Sequence, residues 1–312
     1  MTLEGRRIAW KFAERLLSPG DLAAVQRFDF QDLGYGYDPF GMERESAMLA
    51  YLVFNALHRH WFRVESRGIQ NVPTTGPAIL VPNHGGVVPI DGALMAVDVF
   101  KNLDPPRVVR YIVDTFAAGF PFVSTFLSRA GQVFGDRKNV EDLVRRGELV
   151  GLFPEGAKGT GKLFHERYRL RRFNVGFIEI ALRHRVPIVP VSILGSEEQA
   201  PMLANLAPLA RLMGVPYFPI TPTFPHLGPL GLIPLPAKYH ITYETPLRFY
   251  EEHPPSAADD PVVVRMLADK VQVRVQEMLD DALSQRESIF DLGSPLEPRP
   301  GGNENGDSTN PP

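Results

Sequence analysis

The sequence has no cysteine, little net charge and no long apolar run, and each lack narrows what the chain can do. Without cysteine among 312 residues there are no disulfides, no thiolate metal sites and no cysteine nucleophile. A formal net charge of −3 gives no global attraction to nucleic acid or to an anionic membrane, so electrostatic targeting has to be local and no nucleic-acid partner is expected. The longest apolar stretch, AMLAYLVFNAL from Ala47 to Leu57, is about half of the ~20 residues a spanning helix needs. The first residues, MTLEGRRIAWKFAERLL, lack an apolar core followed by a small-residue cleavage site, which predicts no secretory signal. There is no Gly-x-Ser-x-Gly elbow either. The expected location is cytoplasmic, with peripheral membrane association.

What is present is an ordinary globular composition, 44% hydrophobic and 22% charged, at a length that suits one large α/β domain or two small ones. Short apolar runs bounded by turn residues alternate with helical patterns, the signature of an α/β sheet. The predicted strands are WFRVESRG, AILVPNH, VVRYIVD, GQVFGD, ELVGLFPEG, VPIVPVSIL and KYHITYETPLRF. Helices are expected near 91–101, 118–129, 138–147 and 173–185, with a last one from Pro261 to Ser288. Residues 201–236 hold nine prolines and one formal charge, Arg211. That stretch is too apolar for an open loop and too rich in proline for a helix, and reads as a lipid-facing lip or a buried cover. The helix ending in HRHW reads as core, or as an interfacial anchor through His58, Arg59, His60 and Trp61.

In LFPEGAKGTGKLF, Gly156, Gly161 and Lys162 have the spacing of a phosphate-binding P-loop. The position after Lys162 is Leu163, which offers no oxygen to Mg²⁺, and no hydrophobic strand ending in Asp supplies the acidic partner. The chemistry therefore belongs to the preceding FPEG, although a nucleotide-binding protein stays as the reading from another class, beside an inactive lipid-binding protein.

Four motifs occur in order. VPNHGGVVPID carries Asn83, His84 and Asp91; GQVFGDR ends in Arg137; FPEG spans Phe153 to Gly156; and VPIVPV includes Pro190. Together they resemble the lysophospholipid acyltransferase superfamily, which includes the lysophosphatidic acid acyltransferases. The resemblance implies a single α/β domain with a mixed central sheet flanked by helices over 61–290, after an N-terminal helical, membrane-proximal segment (1–60); the tail (291–312), polar and rich in Gly and Pro, is expected to be disordered. It implies His84 as general base and Asp91 as its orienting carboxylate. Substrate contacts would come from Asn83, Gly85, Gly86, Arg137, Phe153, Glu155, Gly156, Lys158 and Pro190, with Arg137 on the acceptor's phosphate. The partners would be an acyl-CoA or acyl carrier protein thioester, a lipid acceptor and a membrane surface; no cofactor or metal is expected. The sequence departs from the pattern in two places: Asp91 lies beyond the family's usual spacing, Pro89 standing there, and Ala157-Lys158 replaces a Thr-Arg.

The chemistry is coherent without the resemblance. Acyl transfer from a thioester needs the attacking alcohol deprotonated, and an imidazole with a pKa near ~6.5 takes that proton at neutral pH. A carboxylate on the other ring nitrogen fixes the tautomer, with the substrate's own hydroxyl in place of a serine, so a direct transfer without an acyl-enzyme is expected. Backbone N–H groups at Gly85 and Gly86 are candidate oxyanion donors. Each residue also has a bland role. Asp91 could only cap the helix after it, Arg137 could start a helix or pair with Asp136, and Glu155 could be a buried acceptor. From Lys158 to Arg172 six basic residues face one acid, Glu166, either as a solvated face or as a phosphate cradle.

Overall fold

All seven predicted apolar runs become strands of one sheet. They are β1 (Glu65–Arg67), β2 (Ala78–Pro82), β3 (Val109–Val113), β4 (Val133–Phe134), β5 (Leu149–Gly151), β6 (Ile188–Leu194) and, after a separate two-stranded ribbon β7 (Ala204–Asn205) and β8 (Pro219–Ile220), β9 (His240–Tyr243). The order is β1-β9-β6-β2-β5-β3-β4. Every neighbouring pair is parallel except β6 with β9, so the sheet is mixed, as expected. The computed structural model describes residues 17–113, 121–286 and 288–289. The expected tail, 291–312, and the first turn of the expected helix 118–129 lie outside them.

Nine α-helices complete the described residues: α1 (Pro19–Arg27), α2 (Arg44–Ala56), α3 (Ile90–Asn102), α4 (Pro121–Arg129), α5 (Arg137–Arg145), α6 (Ala157–Thr160), α7 (Gly176–His184), α8 (Ala207–Met213) and α9 (Pro261–Gln285). Their starts follow capping chemistry. The side chains of Ser18, Asp136 and Asp260 accept from the first-turn N–H groups of α1, α5 and α9. Each such cap is worth about 1 kcal/mol.

Alternation along the central strands builds a core on each face. From β2, Ile79 and Val81 join the side covered by α5, α7 and α9, while Ala78 and Leu80 join the side covered by Leu94, Met95 and Val99 of α3. All five β2 residues and all seven of β6 are buried. Each buried aliphatic side chain contributes roughly 1.5–3 kcal/mol. The described part of the N-terminal segment is built into this body: Ala24, Val25, Met48 and Tyr51 pack on Val97 and Phe100 of α3.

Two readings need correction. His58 does not stand at a surface, because α2 runs on through a π-helical turn, Leu57–Trp61, that buries its ring against Asp98. The proline-rich stretch does contain a helix, α8, because Pro208 falls in its first turn, where a missing N–H costs nothing.

Candidate active site

The chain leaves β2 at Pro82, and its next two residues are the first of the site. Asn83, fully buried, locks onto β6: its Nδ2 donates to the Ile193 carbonyl at 3.0 Å and its Oδ1 accepts the Ile193 N–H at 2.6 Å. Asn83 is thus a clamp between strands. His84 then stands at the C-terminal end of a central parallel strand, flanked in the sheet by β5 and β6, whose own ends supply the other walls.

Asp91 lies in the first turn of α3 with no surface of its own. His84 Nδ1 donates to its Oδ2 at 2.8 Å, so the lengthened Gly-Gly loop closes despite its extra residues. The N-cap of α3 is Pro89, with no side-chain cap bond, so Asp91 is not the cap. Its carboxylate also takes the Gly85 N–H at 3.1 Å and the Gly92 N–H at 2.9 Å. With the imidazole, these two N–H groups fix the carboxylate in place. The His84 side chain keeps 13% of its surface, and Nε2 is the ring nitrogen Asp91 does not use. One expectation fails here: the Gly85 N–H points into Asp91 and is not free for an oxyanion.

Glycine at 85 is a matter of space. A Cβ there would lie 2.5 Å from the Glu197 side chain and 2.6 Å from Ser196 Oγ. Gly86 is at φ +77°, and a Cβ there would meet the Ser196 carbonyl.

The FPEG residues support the histidine from below. The Phe153 ring lies 4.0 Å from the imidazole, centroid to centroid, and is stacked in turn on Tyr111. Glu155 is buried, its Oε1 accepting the His84 N–H at 2.9 Å and its Oε2 the Arg171 N–H at 2.7 Å. Gly156 opens α6 at φ 58°, ψ −153°, a conformation only glycine takes without strain. Lys158 is exposed on α6. Pro190 sits inside β6 in register with Val81, buried in the sheet and short of the strand end.

Lys162 is not part of a basic substrate loop. It is buried, with Nζ 2.8 Å from Glu197 Oε1 and 3.4 Å from Glu155 Oε2, and α6 is a single four-residue turn. Both facts remove the P-loop. Arg137 is exposed at the start of α5, with Nη1 2.6 Å from Glu179 and Nε 3.3 Å from Glu141. These carboxylates hold its pKa above the ordinary value, the hydrogen bond that Arg137 donates to Glu179 leading.

The segment after β6, Ser196-Glu197-Glu198-Gln199, is buried throughout and was missed from sequence. Its signal is legible afterwards: four polar residues follow a largely apolar strand after one glycine, Gly195. Glu197 lies under Gly85 and accepts the Tyr168 N–H at 3.0 Å. Burial pushes its carboxyl up to about 7 against the pull of Lys162. Among the described residues no group of His, Asp and Glu is arranged to hold a metal ion.

An uncharacterized protein of Mycobacterium tuberculosis is 40% identical over 281 residues, 88% of this chain and 78% of that protein. A family model described as Acyltransferase matches residues 63–194, from the turn before β1 to the end of β6. The chain belongs to the acyltransferase family. The match covers all four motifs, and the acyltransferase fold it implies is the α/β layering described above. The human DGAT1/2-independent enzyme synthesizing storage lipids is 28% identical over 135 residues, 42% of this chain and 40% of that protein. The crystal structure of the 1-acyl-sn-glycerophosphate (LPA) acyltransferase PlsC from Thermotoga maritima aligns with a TM-score of 0.48 and 17% identity, covering 91% of this acyltransferase and 99% of that chain.

Proposed function

We propose that this acyltransferase moves a fatty acyl group from an acyl-CoA or acyl carrier protein thioester to the hydroxyl of a lysophospholipid such as lysophosphatidic acid, with His84 as general base. The observation that carries the reading is the 2.8 Å contact between His84 Nδ1 and a fully buried Asp91, with the imidazole still reachable. His84 Nε2 takes the acceptor's proton as its oxygen attacks the thioester carbonyl carbon. The C–O bond forms, the C–S bond breaks, and the imidazolium returns the proton to the departing thiolate. Asp91 stabilises the imidazolium between those two events. No acyl-enzyme forms, and the reaction takes place at a membrane surface on the cytoplasmic side.

A second reading, acylation of a neutral alcohol such as a monoacylglycerol, is favoured by the engagement of Arg137 with Glu179 and Glu141. The human relative's name, with its storage lipids, points the same way. The deciding experiment is thiol release from acyl-CoA and carrier-protein donors with lysophosphatidic acid or monoacylglycerol as acceptor, in wild type, His84→Ala and Arg137→Ala. Acceptor-dependent release that His84→Ala abolishes supports the reading. A raised KM for lysophosphatidic acid alone in Arg137→Ala assigns that arginine to the phosphate. Thiol release unaffected by His84→Ala would sink the mechanism.

A further inference from the structure

Between β6 and β9 the chain leaves the sheet for residues 201–236, and this excursion turns its apolar side chains outward. Leu206, Leu212, Met213, Leu227, Leu230 and Ile233 are all exposed, Leu212 by 83% and Leu230 by 68%. Soluble surfaces scatter such residues singly, whereas one segment with a single formal charge concentrates them here. The excursion is tied to the catalytic loop: Tyr217 donates through its hydroxyl to the Val87 carbonyl at 2.7 Å, and Leu235 N–H donates to the Gln199 carbonyl at 2.6 Å.

A basic border runs along it. Phe164 N–H donates to the Met202 carbonyl at 2.8 Å, which seats the start of the excursion against the Lys158–Arg172 segment. Lys158, Arg167 and Arg211 are exposed, and none has a carboxylate partner among the described residues. Arg167 lies over the Phe164 ring at 4.5 Å, at that junction. The nearby acid, Glu166, is taken by Arg171 at 2.6 Å. No helix among the described residues is long and apolar enough to cross a membrane.

We propose that the 201–236 excursion and this basic border dock the protein on an anionic lipid bilayer, leucines entering the headgroup boundary and the cations meeting the headgroups. The charge decides the occupant: apolar surface beside cations without carboxylates complements an anionic interface. The proposal rests on the lipid-acyltransferase reading for its purpose, but docking is measurable without turnover. Held this way, the bilayer lies beside the loop that carries His84, so a lipid acceptor reaches the imidazole without crossing water.

The test is co-sedimentation with vesicles of equal parts phosphatidylcholine and phosphatidylglycerol, and with phosphatidylcholine alone. Wild type is expected to bind the anionic vesicles, more weakly at high salt. The double variant Leu212→Glu/Leu230→Glu should bind at least about tenfold more weakly with unchanged Tm, since both side chains are exposed. Arg167→Glu and Arg211→Glu should each cost about fivefold on anionic vesicles only. Phe122→Glu/Phe126→Glu, on another exposed apolar patch, at α4, should bind as wild type. Wild type remaining in the supernatant, or the α4 pair rather than the leucine pair abolishing binding, overturns the proposal. So does a lipid-free dimer that the leucine pair dissociates, which would make the occupant a second copy. His84→Ala should sediment as wild type. Docking without turnover would refute only the enzymatic reading, and turnover on water-soluble short-chain substrates without docking would refute only this one.

Discussion

Two histidine–aspartate pairs hang from α3, two helical turns apart, and they serve different ends. Asp91 holds Nδ1 of His84 at 2.8 Å, and the imidazole keeps an open side. Asp98 accepts from Nε2 of His58 at 3.2 Å, and also from Ser66, Asn102 and the Tyr243 hydroxyl, in a pocket with almost no exposure. The chemical groups are the same. The first pair sits where a parallel strand ends and its loop must turn outward; the second is shut between α2, α3 and β9. A pair of this kind can serve as a base only when the fold leaves one ring nitrogen unspent and reachable.

The strongest way to break the comparison is to remove each histidine. His84→Ala should lower kcat by about 10³-fold or more with Tm unchanged, measured as thiol release. If His58→Ala did the same to kcat, the division of labour would be wrong. Next, Asp91→Asn should cost about 10²–10⁴-fold in kcat with substrate affinity retained, because the amide cannot stabilise the imidazolium. His58→Ala should instead cost roughly 2–4 kcal/mol of stability in denaturant, from the cavity and the unbalanced Asp98, with kcat near wild type in the folded fraction.

Glu155→Gln sharpens the contrast more gently. It keeps an oxygen for the His84 N–H but loses the charge opposite Lys162, so kcat should fall about tenfold and stability by about 1–3 kcal/mol. The smallest effect is a pH dependence. Glu197 has a folded pKa of about 7 above its ordinary 4.5, so the folded chain holds its proton more tightly. Its stabilising contribution is complete below about pH 4.5 and is lost as the pH rises through about 7, on the order of 3 kcal/mol. Glu197→Gln should flatten urea-denaturation stability between pH 5 and 7.5 relative to wild type; an unchanged slope would reassign the titration.

Much of this was open to sequence reasoning because it is local. Strands such as AILVP and IVPVSIL are legible because both sheet faces are buried, which favours near-continuous apolar runs. His84, Asp91 and FPEG are legible because a strand end, a glycine pair and a helix start follow one another along the chain. The supporting layer was not. Lys162 reads as one more cation in a basic run, yet its partners are a carboxylate seven residues back and another from beyond β6. The Gly85 N–H looked like a free donor until Asp91 folded over it.

By itself, then, the sequence determined the α/β layering and the family, and it singled out a histidine at a strand end with an aspartate seven residues on, since periodicity and motif spacing are properties of the chain. Tertiary structure alone decided which His–Asp pair keeps an open nitrogen, that Glu155 carries His84, and that Lys162 is spent on two buried acids. Those outcomes depend on which strand ends lie side by side and on what burial does to a charge, and neither is written in any single stretch of residues.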